Sequence, residues 1–236
     1  MSESLDNRIG VAAYSVGHFM VKWLCRFILW ILGWTPSPGL LEAHQLVADG
    51  RKYIGMTPHT SHMDAVLGCL FRLGYDAMFF KNMLIAKWYD CWYIKPFTNY
   101  LGFVPAYPAY DGQQGGTVTK IAQFMNQKYL NQGWMIGMSP SGSIHPRRWK
   151  SGFFHLAKAT GATLCVTGLD YKKKKMVFYL DSYDCLPVDN THTARLAAFC
   201  MDPVWRRITP KFPKQSWPMC HDLNDPLFLN SEWLPM

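Results

Sequence analysis

Two side chains capable of acid-base chemistry, His59 and Asp64, bracket a break in the apolar stretch YIGMTPHTSHMDAVLGCL, which runs from Tyr53 to Leu70. On one continuous helix, positions five apart lie about 140° around the axis and share no face. They meet only if His59 precedes a helix and Asp64 sits in its first turn. Pro58 disfavours helix at Thr57, and the hydroxyl of Thr60 or Ser61 can accept from the open amides of a helix start. The order expected is a strand, a sharp turn bearing His59, and a helix from about Ser61 to Arg72 that carries Asp64. A neutral imidazole held by a carboxylate at one nitrogen leaves the other free to take a proton from a hydroxyl, the general-base half of acyl transfer. The same residues also fit a capping box, Ser61-x-x-Asp64, in which both only cap a helix and His59 and His62 are surface residues.

The elements that must position this pair alternate along the chain. A short segment at Leu40 to Val47 and a strand at Lys52 to Gly55 lead into the turn, and Ala77 to Phe80 reads as the next strand. Leu84 to Tyr100 reads as helix and loop. Leu101 to Tyr107 looks like a strand end near a site, because Gly102 allows close backbone approach beside Val104. A helix from Gly116 to Leu130 follows from the three- and four-residue spacing of Val118, Ile121, Phe124, Met125 and Tyr129. Trp134 to Met138 is a buried strand, Ser151 to Thr160 a helix, Ala162 to Leu169 and Met176 to Leu180 strands, and Thr191 to Phe199 a helix. Lys172 to Lys175 reads as a hairpin tip. This order argues for an α/β layered domain, a mixed and partly parallel sheet flanked by helices, with ligands gathered beyond the strand ends.

The 236 residues, 49% of them hydrophobic, suffice for one sizeable core, and 24 Lys and Arg against 16 Asp and Glu give a charge of +8. That balance suits an anionic partner such as a phosphorylated ligand or an acidic membrane surface. Only the charge points to nucleic acid, and none is expected as a partner. The seven cysteines are scattered without ligand spacing, so reduced thiols in a cytosol-facing protein and no metal are expected. Residues 1–38 stand apart as an apolar, amphipathic N-terminal helix before an α/β domain over 39–236. Lys22 and Arg26 interrupt its apolar run, which is therefore shorter than a spanning segment needs. His18, Lys22 and Arg26 form one polar stripe, while Phe19, Trp23, Phe27, Ile28, Trp30 and Ile31 take the remaining surface. That pattern suits a helix lying among lipid headgroups, or one packed on the domain with a single wet edge.

The loop SPSGSIHPRRWKSG, Ser139 to Gly152, sets the small residues Ser141, Gly142 and Ser143 beside Arg147, Arg148 and Lys150. Backbone amides and cations together can hold an anion there, although an ordinary basic surface loop has the same composition.

Taken in order, His59-x-x-x-x-Asp64, Gly102-Phe-Val-Pro105, Ser139-Pro-Ser-Gly142, the tail Trp149 to Ala157 and then Leu164 to Asp170 resemble the glycerolipid acyltransferase family, within it the 1-acylglycerol-3-phosphate acyltransferases. The resemblance spans roughly Tyr53 to Tyr171. It implies a membrane-associated, cytosol-facing enzyme that moves a fatty acyl group from acyl-CoA or acyl carrier protein to a hydroxyl of a lysophospholipid or glycerol-phosphate acceptor. His59 would be the general base and Asp64 would orient it; no cofactor is implied beyond the thioester co-substrate. Membrane lipids and the thioester donor are the partners implied, with the oligomeric state open.

The chain departs from the family pattern at three places. Pro58 stands where the family usually has a polar residue before the histidine, Tyr107 or Pro108 where a phosphate-binding Arg ends the second block, and Pro140-Ser-Gly-Ser-Ile144 where Pro-Glu-Gly-Thr-Arg is usual. Arg147, Arg148 or Lys150 could replace the lost cations, or the acceptor differs. The alternative class is a lipid-binding member of the same fold that has lost its acceptor site. A serine hydrolase is a weaker fit, since Gly137-Met-Ser139-Pro-Ser141 lacks the last Gly of G-x-S-x-G.

Overall fold

The computed structural model describes residues 2–85, 89–106, 116–139, 152–183 and 203–212, with side chains of the first helix from Gly17 onward. Helices are α1 (Ser2–Ile31), α2 (Gly39–Ala48), α3 (Met63–Gly74), α4 (Lys95–Tyr100), α5 (Gly116–Lys128) and α6 (Gly152–Thr160). Strands are β1 (Thr35–Pro36), β2 (Lys52–Met56), β3 (Phe80–Ile85), β4 (Val104–Ala106), β5 (Trp134–Met138), β6 (Thr163–Asp170) and β7 (Lys175–Tyr183), followed by a 3-10 turn at Pro203–Arg207. The helix expected over Thr191 to Phe199 lies outside the described residues.

The seven strands form one sheet in the order β1-β7-β6-β2-β5-β3-β4. All neighbours run parallel except β6 and β7, which pair antiparallel through a turn over 171–174. The lysine run there is the hairpin tip expected of it. Strand β2 lies between two parallel partners, β5 and β6. Covered on both faces as well, it reads as a nearly unbroken buried run, Tyr53 to Met56, and β5 does the same from Trp134 to Gly137. Alternate residues feed two cores. Ile54, Met56, Trp134 and Ile136 meet α5 and α6 on one face. Tyr53, Met135 and Phe80 meet α2 and α3, with Leu29 and Trp34, on the other. The result is a three-layer α/β domain with a mixed, mostly parallel sheet.

Strand β3 begins at Phe80, where the sequence reading ends it. Asp76 sits at a φ of 53°, a left-handed conformation that Asp tolerates. From there the amide of Ala77 bonds back to the carbonyl of Arg72 and that of Phe80 to Ala77, so 77–79 turn rather than extend. The two-residue β1, inside a stretch that reads as a Pro/Gly turn, exists by pairing with β7.

Helix α1 packs on α3 with its polar stripe turned inward. His18 bonds through Nε2 to Asp76 and through Nδ1 to the Tyr100 hydroxyl, both at 3.3 Å. Lys22 pairs with Asp76, and Arg26 Nε donates to the Gly74 carbonyl at 2.5 Å. The Arg26 guanidinium thus sits on a carbonyl at the carboxyl end of α3, where the helix dipole favours positive charge. Phe19, Trp23, Phe27, Trp30 and Ile31 consequently face outward, each more than half exposed. Among the described residues, no helix is long and apolar enough to cross a membrane.

Candidate functional site

Thr57 still pairs with the sheet, its amide donating to Met138 O at 2.9 Å, and Pro58 then turns the chain out of it. His59 follows in the turn, and α3 starts four residues later. Ser61 Oγ accepts from the Met63 amide at 3.2 Å and so caps the helix start. Thr60 does something else: its hydroxyl accepts from the Phe212 amide at 3.2 Å, holding the segment that ends the described residues over the turn.

Asp64 lies in the first turn of α3, and its carboxylate gathers four donors. Oδ2 accepts from His59 Nδ1 at 3.0 Å, from the Thr60 amide at 2.9 Å and from the Ser61 amide at 3.0 Å. Oδ1 accepts from the Tyr171 hydroxyl at 2.5 Å. The capping and the acid-base descriptions of this motif are therefore both true of the same carboxylate. Burial opposes its ionisation most strongly. The His59 and Tyr171 side chains and the two amides together outweigh that and hold the Asp64 carboxyl below its ordinary range. With 12% of the Asp64 side chain exposed against 28% for His59, the acid is the sheltered member and the imidazole the reachable one.

Nδ1 must carry a proton to donate to Asp64, so the neutral imidazole presents Nε2 as a lone-pair acceptor. Among the described residues Nε2 has no hydrogen-bond partner. The Thr60 and Ser61 amides, by contrast, are committed to Asp64. A carbonyl oxygen gaining charge beside His59 needs other donors.

Tyr171, which the sequence reading does not place in the site, is the third member of the group. It sits one residue past β6, the parallel neighbour of β2, so both strands deliver their following residues to the same end of the sheet. Its amide donates to Thr209 O at 2.7 Å, and its ring stands edge-on to Trp34 with centroids 5.0 Å apart. Burial first, then the Asp64 charge, push the phenol well above its usual range, so it remains a donor at any physiological pH. Replacing Tyr171 by Phe is expected to cost about 1–3 kcal/mol in urea unfolding, since a charge-assisted hydrogen bond is lost. If Tyr171 positions Asp64, the acid limb of any pH-rate profile should move in the same variant; an unchanged profile would make the tyrosine purely structural.

Gly102 and Val104 are not part of this group. Val104 is fully buried in the core beside Met56 and Ile121, and Gly102 lies against Arg72 rather than against open space. Ser141, Gly142, Ser143, Arg147, Arg148 and Lys150 lie outside the described residues, as do Tyr107 and Pro108. Cys25, Cys69, Cys91 and Cys165 are free thiols. Among the described residues no cluster of three His, Cys, Asp or Glu side chains is arranged to hold a metal. No family model matches the chain, and the comparison with curated proteins found no match.

Proposed function

We propose that the protein is a membrane-associated acyltransferase in which His59 is the general base and Asp64 its orienting acid. The observation that carries this reading is the 3.0 Å contact between His59 Nδ1 and an Asp64 carboxylate braced by Tyr171 and two amides. In the proposed reaction the acceptor oxygen attacks the carbonyl carbon of an acyl thioester as Nε2 takes its proton. The tetrahedral intermediate expels the thiolate, and the imidazolium returns the proton to sulfur. Asp64 stabilises the imidazolium while it exists. No acyl-enzyme is needed. The acceptor proposed is a lysophospholipid or glycerol-phosphate hydroxyl, and the donor acyl-CoA or acyl carrier protein.

The outward aromatic face of α1 supports the membrane part of the reading, because Trp and Phe side chains gain most where an apolar region borders water. Trp23 and Trp30 are 51% and 74% exposed. Changing either to Ser should weaken sedimentation with phospholipid vesicles by about tenfold or more, the cost of losing one buried aromatic. Equal partition of wild type and the double variant would remove α1 as the contact. The activity itself is tested by supplying the full chain with a long-chain acyl thioester and a panel of lysolipids. Release of free thiol with formation of the diacyl product supports the proposal; lipid binding without turnover across the panel overturns it.

A further inference from the structure

The lysines from Lys172 to Lys175 stand exposed at the tip of the hairpin between β6 and β7. A buried acid shapes that tip. Asp170 Oδ1 accepts from the Lys172 and Lys173 amides, both at 3.1 Å, and Oδ2 lies 3.3 Å from Lys173 Nζ. Among the described residues it is the one carboxylate paired with the run, so four positive charges face a single negative one.

The tip is joined to α1. Lys174 Nζ donates to the Leu32 carbonyl at 3.0 Å, at the carboxyl end of that helix, and the Thr35 amide donates to Lys174 O at 3.0 Å. A Cβ at Gly33 would lie 3.5 Å from Lys174 Cδ and Nζ, so the lysine stem rests directly on the helix end. At that end Trp30, Ile31 and Leu32 are exposed, with Phe27 stacked on Trp30 at 6.0 Å. A basic surface and an aromatic one therefore abut. The run also begins one residue after Tyr171, whose hydroxyl bonds Asp64, and so stands at the end of the sheet that carries His59.

We propose that the lysine tip and the outward face of α1 form one docking surface for an acidic phospholipid bilayer. The rings enter the headgroup region, and the ammonium groups stay among the acidic headgroups at the ends of their long stems. Burial of aromatic surface and attraction to acidic lipid add, and each lysine near such a surface contributes about 1 kcal/mol. The +8 charge of the chain acts in the same direction. The inference rests on the membrane reading of α1 and does not depend on acyl transfer.

Sedimentation of the full chain with vesicles of phosphatidylcholine alone, and of equimolar phosphatidylcholine and phosphatidylglycerol, tests it. The wild type is expected to bind the acidic vesicles at least about tenfold more tightly, and to lose that preference in about 0.5 M NaCl, where exposed charges are screened. Lys172→Gln/Lys175→Gln leaves the Lys173 and Lys174 contacts in place and should weaken acidic binding by about ten- to thirtyfold, with neutral binding unchanged. Lys128→Gln/Lys158→Gln takes the same two charges from α5 and α6, on the opposite face of the sheet, and should largely keep the preference. His59→Ala should bind as wild type does. No preference for acidic vesicles, a preference that survives high salt, or an equal loss in the two double variants overturns the proposal while neutral binding keeps the α1 contact. Binding to neither vesicle removes that contact and the proposal with it. Loss of a dimer on gel filtration in Lys172→Gln/Lys175→Gln, with vesicle binding intact, assigns the tip to a second copy of the chain and overturns it as well.

Discussion

Replacing His59 by alanine is expected to lower acyl transfer by about 10²–10⁴-fold, the usual contribution of one positioned general base. The acceptor hydroxyl would then have to attack without the imidazole that takes its proton, beside a carboxylate still held by three donors, Tyr171 and the Thr60 and Ser61 amides. Stability should fall only by about 1 kcal/mol, because Asp64 keeps its two amides and the Tyr171 hydroxyl when the imidazole is gone. Thiol release and urea unfolding measured on the same preparation separate the two effects. A folded variant that turns over at the wild-type rate would end the proposed mechanism.

Asp64→Asn should act on both activity and stability. The substitution keeps the shape but replaces a charged acceptor of bonds from His59, Tyr171, Thr60 and Ser61 with a neutral amide. With its NH2 turned to Tyr171 the amide can donate to the phenol oxygen and keep its own oxygen toward His59 and the two backbone amides, so what is lost is the negative charge. A loss of about 1–3 kcal/mol is expected in urea unfolding, because four charge-assisted bonds become neutral ones. Turnover should drop by up to about 10⁴-fold, because the imidazole loses the charge that stabilises its protonated form. The pH dependence adds a second signature. A carboxyl whose folded-state value is lowered contributes stability that is fully present above its unfolded value, near 4, and is lost as pH falls through the lower folded value. Wild type should therefore lose this contribution in acid, and Asp64→Asn should lack that component at every pH. An identical acid-unfolding profile in the two proteins would show that Asp64 is not held as described.

The exposed aromatics of α1 show why a polar stripe does not by itself say which way a helix faces. His18, Lys22 and Arg26 are as polar as a wet edge should be. The carboxyl end of α3 and the turn after it nevertheless present a carbonyl and a carboxylate, Gly74 and Asp76, that bond these side chains in place of water. Charge complementarity between two helices overrode the simple rule that polar faces point outward.

Several features were legible along the chain because neighbouring residues decide them. Pro58 breaks the strand, Ser61 caps the helix, and Asp64 falls in its first turn, so the His59 to Asp64 contact follows from a five-residue separation and local backbone geometry. Apolar periodicity likewise suffices for β5 and α5, which match the expected Trp134 to Met138 and, to within two residues, Gly116 to Leu130. What the tertiary structure alone decided is whatever comes from far away. Tyr171 reaches Asp64 across 107 positions because β6 lies beside β2, and Phe212 reaches Thr60 across 152. The two-residue β1 exists through its neighbour in the sheet, and the buried Arg72 is admitted by a glycine thirty positions on. Hydrogen bonds within a turn are specified by adjacent residues; the partners a strand brings to its end depend on sheet order, which no local spacing encodes.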